Sequence, residues 1–332
     1  TLFRSTTPYH PILFSKNKGL GLCTKTRFMI KASLASLSNG NKLLVVFLLA
    51  LFSALLFSFL GSALIVGIYG VDGLNWLSSM AISTESIGAL KTMQIMQTIG
   101  MFVFPGFLLA YMFSMEPWKY IGFRKFNLKS LTLVIFTMVV ALPGINFLGS
   151  LNDQIPLAQW MIDMELKAEE LTKAFLTTDS IAILFLNLFM IAVLPAIGEE
   201  LIFRGIIQKH FANITKSQIW GIITSALIFS AFHMQFKGFI PRFALGVMFG
   251  LMYSWSGSIW LPIIAHFVNN SIATIGFMML GTGALDSKVE DVGGLTYLWP
   301  IGLISLVTVA VLLMKLKEGN IEVPKQELLE GE

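Results

Sequence analysis

The amino-acid sequence predicts an all-α polytopic membrane protein with about eight transmembrane helices. Three observations carry that expectation. Hydrophobic residues make up 55% of the 332 residues and charged residues 13%, about half the charge of an ordinary soluble domain. The apolar residues fall in long uninterrupted blocks, which read as membrane spans. Between the blocks, Lys and Arg collect on one set of loops and Asp and Glu on the other, as alternate sides of a membrane require. A surface with so little charge excludes a soluble enzyme, a disordered chain and a fibrous repeat.

The blocks are justified in order. A helix needs about 20 apolar residues to cross a hydrocarbon core of about 30 Å. The first block, residues 43–69, is long and carries no charge. The second is 93–114. The third, 128–149, contains Pro143, a residue that kinks helices. The fourth begins near Ile181 and runs past Glu199 and Glu200. The fifth (218–234) and sixth (240–255) are short and share a tight connection. The seventh is 258–281 and the eighth 296–314. Around them the chain divides into a basic tail (1–42), a membrane domain (43–315) and a polar C-terminal tail (316–332). Cys23 is the only cysteine, so neither an intramolecular disulfide nor a thiolate metal cluster is available.

Charge sets the expected orientation. Residues 1–42 hold seven Lys/Arg and no acid; Lys119, Arg124, Lys125 and Lys129, then Arg204, Lys209 and Lys216, then Lys315, Lys317 and Lys325 follow on the same side, making 17 of the 23 basic residues. The acidic stretch 153–179 and the loop 286–291 fall on the other side. Both termini are therefore expected in the cytoplasm, most naturally at a bacterial inner membrane. The net charge of +4 is explained by that asymmetry, without nucleic acid. Residues 1–42, with ten Ser/Thr, also fit the composition of a targeting segment; the orienting tail is the simpler reading. Residues 160–175 alternate apolar and charged positions as an amphipathic helix on the outer surface does.

Ionisable side chains at membrane depth cost about 2.5–3.5 kcal/mol each on insertion scales, and their default reading is functional. Here they are Glu199, Glu200 and Arg204 in the fourth block, His233 in the fifth, and His266, with Asn269 and Asn270, in the seventh. Glu200 and Arg204 are four residues apart and share a helix face, as an ion pair does. His266 and Asn270 share a face in the same way, although Asn269, three residues on, also qualifies. The rise per residue puts Glu199, His233 and His266 within about two helical turns of one depth, which predicts one cavity opening toward the cytoplasmic half.

A carboxylate and an imidazole can take a proton from water and return it, and a His–Asn pair can donate hydrogen bonds to a developing oxyanion. These are the parts that amide hydrolysis needs. No Ser or Cys nucleophile stands in a recognisable setting, and no His-Glu-x-x-His pair is present. Glu199, His233 and His266 could instead hold a divalent metal such as zinc. Each polar residue alone could be an interhelical hydrogen bond; three elements in order on separate spans argue for a site.

The residues then resemble a known family. Glu199-Glu200-Leu201-Ile202-Phe203-Arg204 matches the E-E-x-x-x-R motif of the CPBP family, which comprises CAAX proteases and bacteriocin-processing enzymes. Phe229-Ser230-Ala231-Phe232-His233 matches its F-x-x-x-H motif, and His266-Phe267-Val268-Asn269-Asn270 its H-x-x-x-N motif, which selects Asn270. The resemblance, strongest to the type II CAAX prenyl endopeptidase, covers about residues 181–281. It implies an intramembrane glutamate-type endopeptidase in which Glu199 activates water, His233 assists, His266 and Asn270 form the oxyanion site, and Glu200 and Arg204 support. Members of the family have also been described as metalloproteases, which keeps the metal set Glu199, His233 and His266 open, although no cofactor is expected. The implied partners are peptide or protein substrates, lipid-modified or membrane-bound, with membrane lipid around them and room for a protein subunit. A non-catalytic scaffold keeping the same network is the alternative. A transporter is disfavoured because the buried polar groups lie in one half of the chain rather than in two related halves.

Overall fold

A computed structural model of the protein describes residues 30–79, 82–178, 180–289 and 291–320. Most of the basic tail, with Cys23, and residues 321–332 of the C-terminal tail lie outside the described residues. Eleven helices and no strand are found among those described: α1 (Asn39–Tyr69), α2 (Asp72–Ser79), α3 (Ile87–Phe113), α4 (Pro117–Tyr120), α5 (Leu128–Asn152), α6 (Gln159–Leu176), α7 (Ile181–Thr215), α8 (Gln218–Phe232), α9 (Phe239–Ser256), α10 (Trp260–Gly281) and α11 (Trp299–Glu318).

The all-α membrane fold is as the sequence predicts, and the chain is a multi-pass membrane protein. Six helices, α1, α3, α5, α7, α10 and α11, are long and apolar enough to cross a membrane. The other two expected spans exist as helices, but α8 has 15 residues and rises only about 22 Å. α9 has 18 residues and carries Arg242 near its start.

Local chemistry sets the ends. Ser38 caps α1 by accepting from the Asn41 N–H, Asn127 caps α5 from Ser130, and Ser217 caps α8 from Trp220, each satisfying an N–H that the first turn leaves unpaired. Lys216 takes a left-handed conformation at the α7–α8 turn, as Gly257 does between α9 and α10. Pro143 sits inside a continuous α5. Beside it Ser305 of α11 accepts from the Gly144 N–H at 3.0 Å and donates to the Val140 carbonyl at 2.6 Å, so a side chain replaces one rung of the helix ladder. Residues 30–38 are tied down: Ala32 and Leu34 donate to the Tyr111 and Met112 carbonyls at the end of α3.

Two apolar clusters organise the packing. One joins α3 to α7 through Leu109, Phe113, Ala196, Leu201 and Ile206. The other joins α5, α9, α10 and α11 through Met138, Phe249, Leu261, Ala265 and Leu313. The polar side chains of α7 lie at the seam between them, facing α9 and α10.

Candidate active site

α7 carries Glu199, Glu200 and Arg204 at its centre, and its backbone is not uniformly α-helical. π-helical segments at Leu188–Val193 and Phe203–Ile207 flank the α-helical Leu194–Ile202. Such insertions recur at functional sites. Carbonyls in both segments accept from neighbouring helices: Ile191 from the Asn270 side chain at 2.9 Å, and Phe203 from the Ser225 hydroxyl at 2.9 Å. A third π segment, Ile99–Val103 in α3, packs against α7 at Gly198. A Cβ at that glycine would lie 2.7 Å from Cβ of Phe102.

The ion pair expected from spacing is present. Arg204 Nη1 donates to Glu200 Oε1 at 2.9 Å, and both residues are fully buried. Arg204 Nη2 donates to the Gly246 carbonyl of α9 at 3.2 Å. The guanidinium lies between two aromatic faces, 4.6 Å from the Phe229 ring centre and 5.3 Å from that of Phe249. Charge pairing, hydrogen bonding and cation–π contact together offset its desolvation.

Glu200 also orients a histidine. Its Oε1 lies 2.9 Å from His266 Nδ1. A carboxylate only accepts, so Nδ1 carries a proton, and in a neutral ring Nε2 is then the acceptor. His233 Nδ1 lies 2.8 Å from the Phe229 carbonyl, which fixes the same tautomer. Both Nε2 atoms face Glu199: its Oε2 is 3.9 Å from His233 Nε2 and 4.0 Å from His266 Nε2. These separations exceed a hydrogen bond and are of the size that one intervening water spans. Glu199 Oε2 is buried and has no hydrogen-bond partner of its own. The three motif elements thus converge on one point from α7, α8 and α10. His266 is buried, while the His233 side chain is 28% exposed and forms the open side.

One residue stands at the edge of this point, and one expectation needs correction. Asn270 lies one turn beyond His266 on α10, but its amide is bonded to Ile191 and it accepts from Asn269 at 3.1 Å; it borders the site without a direct bond to Glu199 or His233. The opening is not toward the basic loops. α8 starts beside Lys216 and ends at His233, so the exposed imidazole lies at the opposite end of the bundle, next to the 233–238 loop. The short length of α8 is the reason.

That loop brings in residues the sequence reading missed. Arg242 of α9 donates to the Gln235 carbonyl at 3.0 Å and to its side-chain oxygen, and its charge bears on Glu199 and His233. A lone cation in the sixth apolar block was the available signal. Asn152, at the end of α5, accepts from the Ile240 N–H at 2.7 Å and donates to the Phe236 carbonyl at 2.9 Å. From α6, Glu165 accepts from the Lys237 N–H at 2.9 Å, and Trp160 meets the Phe236 ring edge-on. The amphipathic helix therefore abuts the loop that carries His233. Phe249, stacked on His266 at 5.2 Å, had no polar signature to reveal it.

The donor set has the chemistry of a zinc site, with two imidazole Nε2 atoms and a carboxylate oxygen. Donors around one zinc ion at about 2.0–2.1 Å stand about 3.4 Å apart, closer than the separations here. Among the described residues no group of three His, Cys, Asp or Glu is placed to hold a metal ion. As placed, these side chains do not fit one.

Fold and site together define a polytopic membrane protein with a glutamate–histidine centre buried between its helices. Comparison with known proteins agrees on where the likeness lies. Residues 181–272 match the family described as type II CAAX prenyl endopeptidase Rce1-like, which bears out the resemblance read from the three motifs. The chain is similar to the membrane-embedded CAAX protease MroQ of Staphylococcus aureus (34% identity over 110 residues, 31% of this chain and 44% of that protein). It is also similar to the Bacillus subtilis putative membrane peptidase YdiL (32% over 109 residues, 33% and 43%) and to the B. subtilis uncharacterized protein YpbD (32% over 90 residues, 26% and 43%). The chain thus spans less than half the length of these curated relatives. No solved structure gives a significant match.

Proposed function

We propose that the protein is an intramembrane endopeptidase in which Glu199 and His233 activate a water molecule for attack on a peptide carbonyl. The observation that carries this reading is the convergence of Glu199 Oε2 with two imidazole Nε2 atoms at 3.9 and 4.0 Å, on the side where His233 is partly exposed.

In the neutral rings both Nε2 atoms accept hydrogen bonds. A water held between them and Glu199 therefore has three acceptors for two protons, which polarises it toward hydroxide. The water's proton passes to the Glu199–His233 pair as the new C–O bond forms, and the same pair delivers it to the leaving amine as the C–N bond breaks; the tetrahedral oxyanion is met by the second amide N–H of Asn270, and by His266 when its Nε2 carries a proton. Glu200 and Arg204 hold His266 in register. No step is routed through a metal, and full activity is expected in the presence of a chelator; loss of activity with recovery on adding zinc overturns that part. Substrates are membrane-bound or lipid-modified peptides, by likeness to the relatives named above.

The test is cleavage of a membrane-anchored reporter peptide by the purified protein in liposomes. Wild type is expected to cleave and Glu199→Gln to lose about 100-fold or more in rate with an unchanged melting temperature. Equal rates for the two proteins would leave the scaffold reading in its place. Farnesylated and unmodified reporters run in parallel read the substrate class.

A further inference from the structure

The end of the bundle opposite the His233 loop carries a second polar site that peptide hydrolysis does not use. Lys209 lies two residues beyond the second π segment of α7. Its Nζ is 4.6 Å from the Tyr120 ring centre and 5.9 Å from that of Tyr253. Among the described residues no carboxylate pairs with Lys209. The charges that bear on its surroundings are those of other cations, Arg124 on Lys209 and Lys42 on the adjacent His210. Glu116, the acid of the neighbouring loop, is engaged by Lys119 at 3.5 Å.

A shallow cleft beside Lys209 is lined by Gln208, Gln218, Tyr253 and Ser254. Ser254 accepts from the Gln208 amide at 2.9 Å, which leaves its own O–H to donate. The Gln208 carbonyl oxygen has no partner and lies against Gly250, so it does not serve Lys209. The ammonium, the Ser254 hydroxyl and the Gln218 amide at the cleft mouth are donors without a protein acceptor among the described residues. A half-buried lysine with donors around it and only cations as charged neighbours calls for an anion. The cleft lies at the α7–α8 turn, at the end where Lys125, Lys129 and Lys216 gather, with the buried Tyr120 and Tyr253 rings behind it. Basic pockets between helix ends at that level take phospholipid headgroups.

We propose that this cleft binds the phosphoryl headgroup of an acidic membrane phospholipid, with Lys209 as charge partner and Ser254 and Gln218 as hydrogen-bond donors. The experiment is thermal unfolding and native mass spectrometry of the full chain in nanodiscs of phosphatidylcholine with increasing phosphatidylglycerol. Wild type is expected to be stabilised and to retain phosphatidylglycerol. Lys209→Gln should weaken that binding about fivefold, Lys209→Arg should preserve it, and Ser254→Ala should weaken it about twofold while keeping the lysine in place. Lys125→Gln, an exposed charge at the same end, should leave it unchanged. Three results overturn the proposal: equal weakening by Lys125→Gln and Lys209→Gln, which means diffuse attraction; no weakening by Lys209→Gln and Ser254→Ala; or the same stabilisation by inorganic phosphate in pure phosphatidylcholine, which makes a free anion the ligand. Every readout is lipid binding, so the outcome is independent of the peptidase reading.

Discussion

Glu199 and Glu200 are neighbours in sequence with opposite surroundings. Glu200 Oε1 is bonded to both Arg204 and His266, with only its Oε2 unpartnered, whereas Glu199 makes no hydrogen bond to Arg204 or either histidine and its Oε2 faces the two imidazoles at 3.9 and 4.0 Å. Substitution should separate the two. Glu200→Gln removes the charge that balances Arg204, and breaking a buried pair typically costs about 3–5 kcal/mol. We expect a fall of several degrees in melting temperature together with lost cleavage, and the same for Arg204→Ala. An Arg204→Ala variant as stable as wild type would recast Arg204 as a substrate-binding group. Glu199→Gln should lose rate alone. The sequence made this division legible, because four-residue spacing identified the Glu200–Arg204 pair and left Glu199 facing elsewhere. It did not reveal the sandwich of Arg204 between Phe229 and Phe249. Aromatic residues are too common in apolar spans for one of them to stand out.

Individual elements are placed by small residues and by backbone irregularity. Gly198 lets the third π segment, in α3, press against α7 one residue before Glu199. Gly198→Ala would put a Cβ 2.7 Å from Phe102 Cβ and 2.9 Å from Val103 Cγ2. Two backbones must then separate, and overpacking of this kind costs about 1–3 kcal/mol. The expected result is a lower melting temperature and a lower cleavage rate; no change in either would show that α3 does not position α7. The α6 contacts make a separate prediction. Trp160→Ala and Glu165→Ala remove the two side chains by which α6 meets the 233–238 loop. A change in KM exceeding that in kcat is expected from both, because Glu199 and the two histidines proposed for catalysis are untouched; an unaltered KM would make α6 surface packing alone. Apolar blocks gave the element order, but π segments leave no periodic signature. The helix ends that decide where His233 opens lie within the usual error of a boundary read from hydropathy.

At the scale of the whole molecule, the 15-residue α8 has a consequence for the lipid around it. Its Ile219, Trp220, Leu227 and Phe232 side chains are exposed, so it presents an apolar face to acyl chains although it is about 8 Å shorter than the hydrocarbon layer. Hydrophobic mismatch of this kind pinches the bilayer, at a fraction of a kcal/mol per Å. The pinch would fall beside His233, bringing headgroups, water and, on the proposed function, the polar end of a lipid-anchored peptide down to a glutamate that by sequence position belongs at the centre of a long helix. Cleavage in liposomes of short-chain phosphatidylcholine should therefore run several-fold faster than in long-chain liposomes at equal fluidity. The same rate in both would mean that α8 is shielded from lipid. A protein built this way would be sorted by membrane thickness as well as by charge, working best where the bilayer is thin.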